Sequence, residues 1–171
     1  ISFTVLTKSI TANKLSLIYK NVPASPNKTY YSCLQWGADN NSVTGNSAVG
    51  LVARNNTSGR LLFFYQFNSV SQPLLAVSRW TTSILPDITS FSGGITPGLV
   101  PGIFSVMAMV FNGSSLAFQY APLHEGAFSD LVTIYTETLA AWLGSFDSYG
   151  IGVFNNGSVT TKLFSNWIRV V

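Results

Sequence analysis

The sequence predicts an all-β domain built as a two-sheet antiparallel β-sandwich. Short runs rich in Val, Ile, Thr, Tyr and Phe recur along the chain, and Gly, Pro, Asn or Asp separates them. About ten short strands with turn residues between them are typical of a sandwich or a barrel. A length of 171 residues fits one domain, spanning residues 1–171, with a core of its own.

The predicted strands are runs of alternating or continuous apolar residues bounded by turn residues. Strands of this length bury one face or both, which explains why some runs alternate and others do not. We therefore expect about ten to eleven strands. In chain order the runs are residues 3–6, 15–19, 29–35, 48–53, 61–67, 74–80, 103–111, 116–120, 131–135, 150–154 and 159–171.

Two Asn-Gly pairs lie between apolar runs. Asn112-Gly113 separates residues 103–110 from 116–120, and Asn156-Gly157 separates residues 151–154 from the last run. Asn-Gly takes the positive φ angles that a tight type I′ turn requires. The sequence therefore predicts two independent hairpins.

At most one short helix is expected. Residues 136–143 (TETLAAWL) contain good helix formers and stop at Gly144, a natural helix end, although a strand there stays open. Residues 81–102 hold Pro86, Pro97 and Pro101 and are predicted to form a long ordered loop. Long loops on rigid sandwiches are where binding functions concentrate.

The chain carries few charges for its size. Charged residues make up 9% of it and hydrophobic residues 47%, whereas an ordinary soluble domain has about 25% charged residues. The longest apolar runs reach about seven to nine residues, and a membrane-spanning helix needs roughly 20. The polar residues are mostly Ser, Thr, Asn and Gln, a composition common on extracellular proteins and virion surfaces. The start, ISFTVLTKSI, has no signal-peptide pattern, and we expect the domain to be excised from a larger protein.

Several classes of function find no support in the sequence. The single cysteine, Cys33, excludes an internal disulfide and a cysteine-based metal cluster. The net charge of +3 comes from scattered residues, so nucleic acid and anionic membranes are not expected as partners. No H-x-x-x-H pattern and no acidic Asp-x-Asp loop is present. We expect no metal ion, no cofactor and no membrane insertion.

The residues available for catalysis are few. His124 is the one histidine, and its neighbour Glu125 would point to the opposite face of a strand. No G-x-S-x-G nucleophile elbow exists. A glycosidase needs two carboxylates flanking one bond, and Glu125 or Glu137 with Asp130 or Asp147 could supply them, as in any chain with six acids. The sequence therefore predicts no catalytic residues and no enzyme.

Aromatic residues beside polar ones are the richer signal. The chain has 12 Phe, 7 Tyr and 4 Trp. Sugars stack their apolar faces on aromatic rings, while amides, hydroxyls and guanidinium groups bind the sugar hydroxyls or the carboxylate of an acidic sugar. The alternative for each tryptophan is a core position, and for each arginine an ion pair or a solvated position. The predicted ligand-binding residues are Arg79 and Trp80 first, followed by Trp36, Asn40 and Arg54.

Four segments resemble the galectin-like head domain of rotavirus-type spike proteins. SVMAMVFNGSSLAFQYAPLHEG resembles the central hairpin of that family, and SVTTKLFSNWIRVV resembles its closing segment. YYSCLQWGADNN and RLLFFYQFNS would be earlier strands of the sheets. The resemblance implies a galectin-like or jelly-roll type of sandwich that attaches a virus to host glycans without catalysing a reaction. The cellular galectin signatures His-x-Asn-x-Arg and Trp-Gly-x-Glu are absent, since Ala38-Asp39 follows Trp36-Gly37.

The expected function is thus that of a viral receptor-binding head at the virion surface, on an outer capsid or spike. Its partner would be a host cell-surface carbohydrate or glycoprotein receptor, and a homo-oligomer in the parent particle is possible. Two alternatives stay open. One is a capsid protrusion or fibre head that acts in oligomer assembly or binds a protein receptor, and the other is a secreted, extracellular lectin of cellular origin.

Overall fold

A computed structural model describes the chain in nine segments. Its backbone is described for residues 4–8, 15–21, 28–38, 47–68, 73–82, 104–124, 127–128, 130–155 and 161–170. Within the sheets the described side chains are those of residues 15–21, 28–30, 48–66, 75–82, 105–121 and 130–154.

Nearly all of the described residues lie in β-strands. Each strand except one begins and ends within about four residues of a predicted run. The exception is a two-residue strand, which the sequence did not predict. In chain order they are β1 (Thr4–Lys8), β2 (Leu15–Asn21), β3 (Lys28–Ala38), β4 (Ser47–Arg54), β5 (Leu61–Asn68), β6 (Pro73–Trp80), β7 (Phe104–Phe111), β8 (Ser115–His124), β9 (Ala127–Phe128), β10 (Val132–Thr138), β11 (Ser148–Asn155) and β12 (Thr161–Val170).

The strands form two antiparallel sheets, which confirms the predicted two-sheet β-sandwich. Sheet A has the order β1-β12-β3-β7-β8-β10, with β9 paired to β8. Sheet B has the order β2-β11-β4-β5-β6. The chain crosses between the sheets several times, so strands distant in sequence become neighbours.

The first predicted hairpin is confirmed and the second is wrong. Strands β7 and β8 pair on either side of Asn112, whose side-chain oxygen accepts the backbone N–H groups of Ser114 and Ser115 at 3.0 and 2.8 Å. Gly113 has a φ of 95°, which explains the glycine there. By contrast, β11 pairs with β2 and β4, whereas β12 pairs with β1 and β3. The connection that contains Asn156-Gly157 therefore joins two different sheets, and its own residues lie outside the described part.

The predicted helix over residues 136–143 is reduced to one 3₁₀ turn, Leu139–Ala141. Residues 136–138 complete β10, because they continue its pairing with β8 up to Thr138 and Ser115. Gly144 closes the segment that follows this turn. It has a φ of 78°, and its N–H donates to the Leu139 carbonyl at 2.7 Å. The helix propensity of this segment is thus overridden by the edge of sheet A. Of the predicted long loop over residues 81–102, only residues 81–82 are described, and residues 83–102 lie outside the described part.

The main core fills the space between the sheets. Alternate residues of each strand face inward, since successive side chains point to opposite sides of a sheet. Large side chains that are fully buried there include Tyr30, Phe64, Met107, Phe118 and Phe146.

The opposite face of sheet B is apolar as well. Its residues form a second cluster, made of Leu15, Ala48, Val52, Leu61, Phe63 and Trp80. We call this face, which points away from sheet A, the outer face of sheet B. Both faces of the central strands β4 and β5 are therefore buried, which explains the nearly continuous apolar runs of their sequences.

In the described part of the chain, no helix has the length and apolar character required to cross a membrane.

Candidate functional site

A groove of about 400 Å³ opens on the outer face of sheet B. Its described lining comes from Leu15, Leu17 and Tyr19 of β2, Arg54 at the end of β4, Gly59 in the turn after β4, and Thr82 just after β6. Ligand pockets of proteins are about 300–1,000 Å³ in size, mostly apolar, with a few polar groups that orient the ligand. This groove has that size, but its lining is about equally polar and apolar.

Arg54 reaches across a neighbouring strand to Tyr19. Strand β11 lies between β2 and β4, so the backbones of the two residues are two strand spacings, roughly 10 Å, apart. The guanidinium carbon of Arg54 nevertheless lies 4.7 Å from the centre of the Tyr19 ring, a cation–π contact. Gly150 of β11 pairs with Tyr19 and contributes no side chain beside that ring.

Glycines in β11 determine the shape of the groove. A Cβ atom on Gly150 would lie 2.6 Å from the Tyr19 Cα and would also strike the carbonyl oxygen of Ile18. A Cβ atom on Gly152 would instead meet side-chain ends of Val52 and Leu17 at 3.0 and 3.1 Å. Gly150 is therefore required for the close approach of β2.

Tyr19 keeps 45% of its surface exposed, although Arg54 lies over its ring. The pair presents a flat surface made of a phenol ring and a guanidinium group. Such a surface offers an apolar face for packing and N–H donors for oxygen atoms, which is the combination that binds sugar rings.

The turn that bears Gly59 is held rigidly by Asn55. The Asn55 side-chain oxygen accepts the backbone N–H groups of Thr57 and Ser58, both at 2.9 Å. Its amide nitrogen donates to the Leu143 carbonyl and to the Ser145 hydroxyl, also at 2.9 Å. Gly59 itself has a φ of 74°, which favours glycine. One rim of the groove is thus preformed.

The predicted pair Arg79 and Trp80 lies elsewhere, with the two side chains on opposite faces of β6. Trp80 is 4% exposed, belongs to the second apolar cluster and donates from its indole nitrogen to Ser78 at 2.7 Å. At that exposure its ring offers no face to a sugar. The core position that the sequence left open as an alternative is the one it occupies.

Arg79 points inward, toward sheet A. Its Nη2 atom lies 2.8 Å from Oε1 of Glu137, whose side chain is 2% exposed. The other Glu137 oxygen accepts the Tyr135 hydroxyl at 2.5 Å. Burial, followed by the hydrogen bond and the negative charge of Glu137, raises the pKa of Tyr135 to about 12. This arrangement is the ion-paired alternative for Arg79, and it uses one of the acids considered for catalysis.

Trp142 contacts two arginines beside that ion pair. The guanidinium carbons of Arg60 and Arg79 lie 4.8 and 5.7 Å from its ring centre. Arg60 also donates to the Trp142 carbonyl at 3.1 Å. These contacts join the turn after β4 to the edge of the sandwich.

The remaining predicted residues lie wholly or partly outside the described part of the chain. Trp36 lies in β3, a strand of sheet A, but its side chain is outside the described part, as is Asn40. The backbone of His124 ends β8, and Glu125 is outside. Of the three predicted ligand-binding residues whose side chains are described, Arg54, Arg79 and Trp80, only Arg54 lines the groove. Among the described residues, no three His, Cys, Asp or Glu side chains gather as a metal site would require.

Solved structures with low sequence identity share this fold. A functionally unknown protein from Saccharomyces cerevisiae matches with a TM-score of 0.63 at 12% identity, over 99% of this chain and 87% of that one. A β-1,3-glucanase from Mycobacterium marinum matches with a TM-score of 0.54 at 10% identity, over 99% of this chain and 74% of that one. The CBM2 module of the evolved Dit of Lactobacillus casei BL23 phage J-1 matches with a TM-score of 0.50 at 12% identity, over 93% and 74%. No family model and no curated protein matches the sequence.

These structures correct the prediction that the chain is not an enzyme. That prediction rested on the small number of residues available for catalysis, whereas a β-1,3-glucanase is among the proteins with the same fold. The prediction was wrong, because this architecture is compatible with catalysis. At identities of 10–12% the likeness shows the fold alone.

Sequence reasoning missed Tyr19 and Thr82. The alternation of Leu15, Leu17 and Tyr19 on one face of β2 was visible in the sequence, and a tyrosine that ends such a stripe is a signal for an exposed ring. What placed this tyrosine beside Arg54 is the strand order β2-β11-β4, which no local pattern reveals.

Proposed function

We propose that this domain binds carbohydrate in the groove on the outer face of sheet B. The observation that carries the proposal is the contact between Arg54 and the half-exposed Tyr19 within a groove of about 400 Å³. A sugar ring would pack against the Tyr19–Arg54 surface, with Thr82 at the rim near its hydroxyl groups.

The fold supports this proposal without deciding it. A β-1,3-glucanase and the CBM2 module of a phage protein have the same sandwich fold. The composition agrees too, since a surface of Ser, Thr, Asn and Gln suits work outside a cell.

Binding to a glycan array, followed by calorimetry with the glycans that bind, tests the proposal. Tyr19→Ala removes the exposed ring and should weaken binding by about tenfold or more, given that a ring contact contributes about 0.5–1.5 kcal/mol beyond the area it buries. Val132→Ala is the matched control, because Val132 is also an exposed apolar residue on an edge strand, but of sheet A. If no glycan binds, or if both variants bind like the wild type, the proposal fails.

The finer role that we propose is attachment of a virus particle to host glycans, with the domain at the virion surface. The resemblance to spike heads and the weakly charged, Asn- and Ser-rich sequence support it, and so does a phage module with the same fold. A cell-binding assay with the purified domain tests it. Binding to cells that disappears after enzymatic removal of surface glycans is expected, and binding that survives this treatment would indicate a protein receptor instead.

A further inference from the structure

The groove contains a cation, Arg54, that has no hydrogen-bond or ion-pair partner among the described residues. We propose that the saccharide it binds carries an oxyanion, a carboxylate or a sulfate, and that this group pairs with Arg54. This inference rests on the proposed function and adds the chemical class of the ligand.

Arg54 differs from the other two arginines whose side chains are described, Arg60 and Arg79. Its Nε is buried and has no hydrogen-bond partner, as is also true of the Arg79 Nε, but Arg54 makes no side-chain hydrogen bond or ion pair with any described residue. Arg79 pairs with Glu137, and Arg60 donates to the Trp142 carbonyl. Within the described part of the chain, the guanidinium of Arg54 contacts the ring of Tyr19, which does not accept its N–H groups as an oxygen atom would.

No acid of the described part of the chain pairs with Arg54. The described lining of the groove contains no carboxylate. Asp147 is the acid whose backbone adjoins Arg54, since its N–H binds the Arg54 carbonyl at 3.0 Å. The Asp147 carboxylate, however, accepts the Asn56 N–H at 3.0 Å and the Ser145 hydroxyl at 3.1 Å. It is engaged in the turn and leaves the guanidinium unpaired.

A second cation adds to the positive potential near the groove. Lys20 follows Tyr19 on the edge strand β2 and lines a depression of about 310 Å³ on the other side of that strand, with Ile18 and Tyr149. The described lining of this depression also lacks an acid. Positive potential on both sides of β2 favours an anionic ligand over a neutral one.

The energetics favour an oxyanion over a hydroxyl group. A guanidinium donor that is withdrawn from water without an acceptor costs free energy, which a ligand oxygen restores. Two oxygens of a carboxylate or of a sulfate can accept two parallel N–H groups of a guanidinium, whereas a sugar hydroxyl accepts one. An anionic saccharide therefore gains more from Arg54 than its neutral counterpart does.

The test uses pairs of glycans that differ only in charge. Each carboxylated glycan is compared with the same glycan after reduction of its carboxylates to alcohols, and each sulfated glycan with its desulfated form. The proteins are the wild type, Arg54→Gln, Arg54→Lys, Tyr19→Ala and the control Arg60→Gln, which removes an exposed arginine that also stacks on an aromatic ring. Thermal unfolding of each variant establishes that it is folded.

We expect the wild type to bind charged glycans about tenfold or more tightly than their neutral forms, since a hydrogen bond to a charged group contributes about 1.5–3 kcal/mol. Arg54→Gln should abolish this preference, Arg54→Lys should keep part of it, and Arg60→Gln should leave it unchanged. The carboxylate and sulfate pairs show which oxyanion is preferred.

Two results overturn the inference, and they differ from each other. If neutral and charged forms bind equally and Arg54→Gln has no effect, while Tyr19→Ala abolishes binding, the ligand class is wrong and the groove is right. If no glycan of either kind binds, or if binding is insensitive to both Tyr19 and Arg54, the proposed function fails together with the inference.

Discussion

Arg79 and Glu137 form an ion pair between the two sheets, with Nη2 and Oε1 2.8 Å apart. Arg79 belongs to β6, at one edge of sheet B, and Glu137 to β10, at one edge of sheet A. Glu137 is almost completely buried, and its two carboxylate oxygens are paired with the guanidinium of Arg79 and the hydroxyl of Tyr135.

Removing one member of this pair should destabilise the sandwich strongly. We expect Glu137→Ala to lower the free energy of unfolding by about 3–5 kcal/mol, because Arg79 would then remain without its counter-charge. Glu137→Gln should cost less, since its amide oxygen can still accept the Tyr135 hydroxyl. Urea denaturation measures both. Asp130→Ala, at an exposed acid, is the control and should change stability by about 0.5 kcal/mol or less; equal losses for Asp130 and Glu137 would contradict the role of the pair.

Stability should fall at alkaline pH because of buried tyrosines. Burial raises the pKa of Tyr120 and of Tyr135 to about 12, from the ordinary value of 10.0. The folded state thus holds these phenolic protons more tightly than the unfolded state does. Their contribution is complete below pH 10 and is lost as the pH rises toward about 12. Denaturation measured at several pH values checks this, and the fall should be smaller in the Tyr120→Phe, Tyr135→Phe double variant than in the wild type.

Trp80 should matter for folding and not for ligand binding. Its ring lies 5.6 Å from that of Phe154 and 6.5 Å from that of Phe63, within the apolar cluster of the outer face. Trp80→Ala is expected to cost about 3–5 kcal/mol, the usual cost of deleting a large buried ring. Trp80→Phe keeps most of the packing and should bind glycans as the wild type does. Loss of glycan binding in a stably folded Trp80→Phe protein would show that Trp80 contributes to the binding site.

Variants of two glycines in β11 distinguish a change in the backbone position of β2 from a change in side-chain packing. Gly150→Ala should destabilise the protein and weaken glycan binding, because its methyl group meets the backbone of β2 beneath Tyr19, which cannot move aside locally. Gly152→Ala meets side-chain ends at 3.0–3.2 Å and should be tolerated better. Thermal unfolding and calorimetry on the same samples measure the two effects. Equal behaviour of the variants would show that β2 is not held by Gly150.

Much of the strand content was predictable from local patterns. The run at residues 61–67 corresponds to Leu61–Asn68 and the run at 74–80 to Pro73–Trp80, because β-branched and aromatic residues between turn residues favour strands wherever they occur. The errors arose where the pairing of strands determined the structure. Residues 136–138 belong to the segment predicted as a helix, yet they pair with β8. The Asn156-Gly157 connection joins the two sheets instead of closing a hairpin.

The binding site was predictable only in part. Arg54 was among the predicted residues, whereas Tyr19 was not, and the two are brought together only by the insertion of β11 between their strands. For Arg79 and Trp80 the sequence showed a cation beside an aromatic ring. It could not show that Glu137, in another sheet, pairs with the arginine, or that the tryptophan lies in a second apolar cluster.

By itself the sequence determined that the chain is an all-β sandwich with about ten to eleven short strands, because period-two patterns and turn residues act within a few positions of each other. Only the tertiary structure decided which arginine is paired and which faces a groove. Those outcomes depend on the order of strands within each sheet, which brings residues such as Tyr19, Arg54 and Gly150 together from distant parts of the chain.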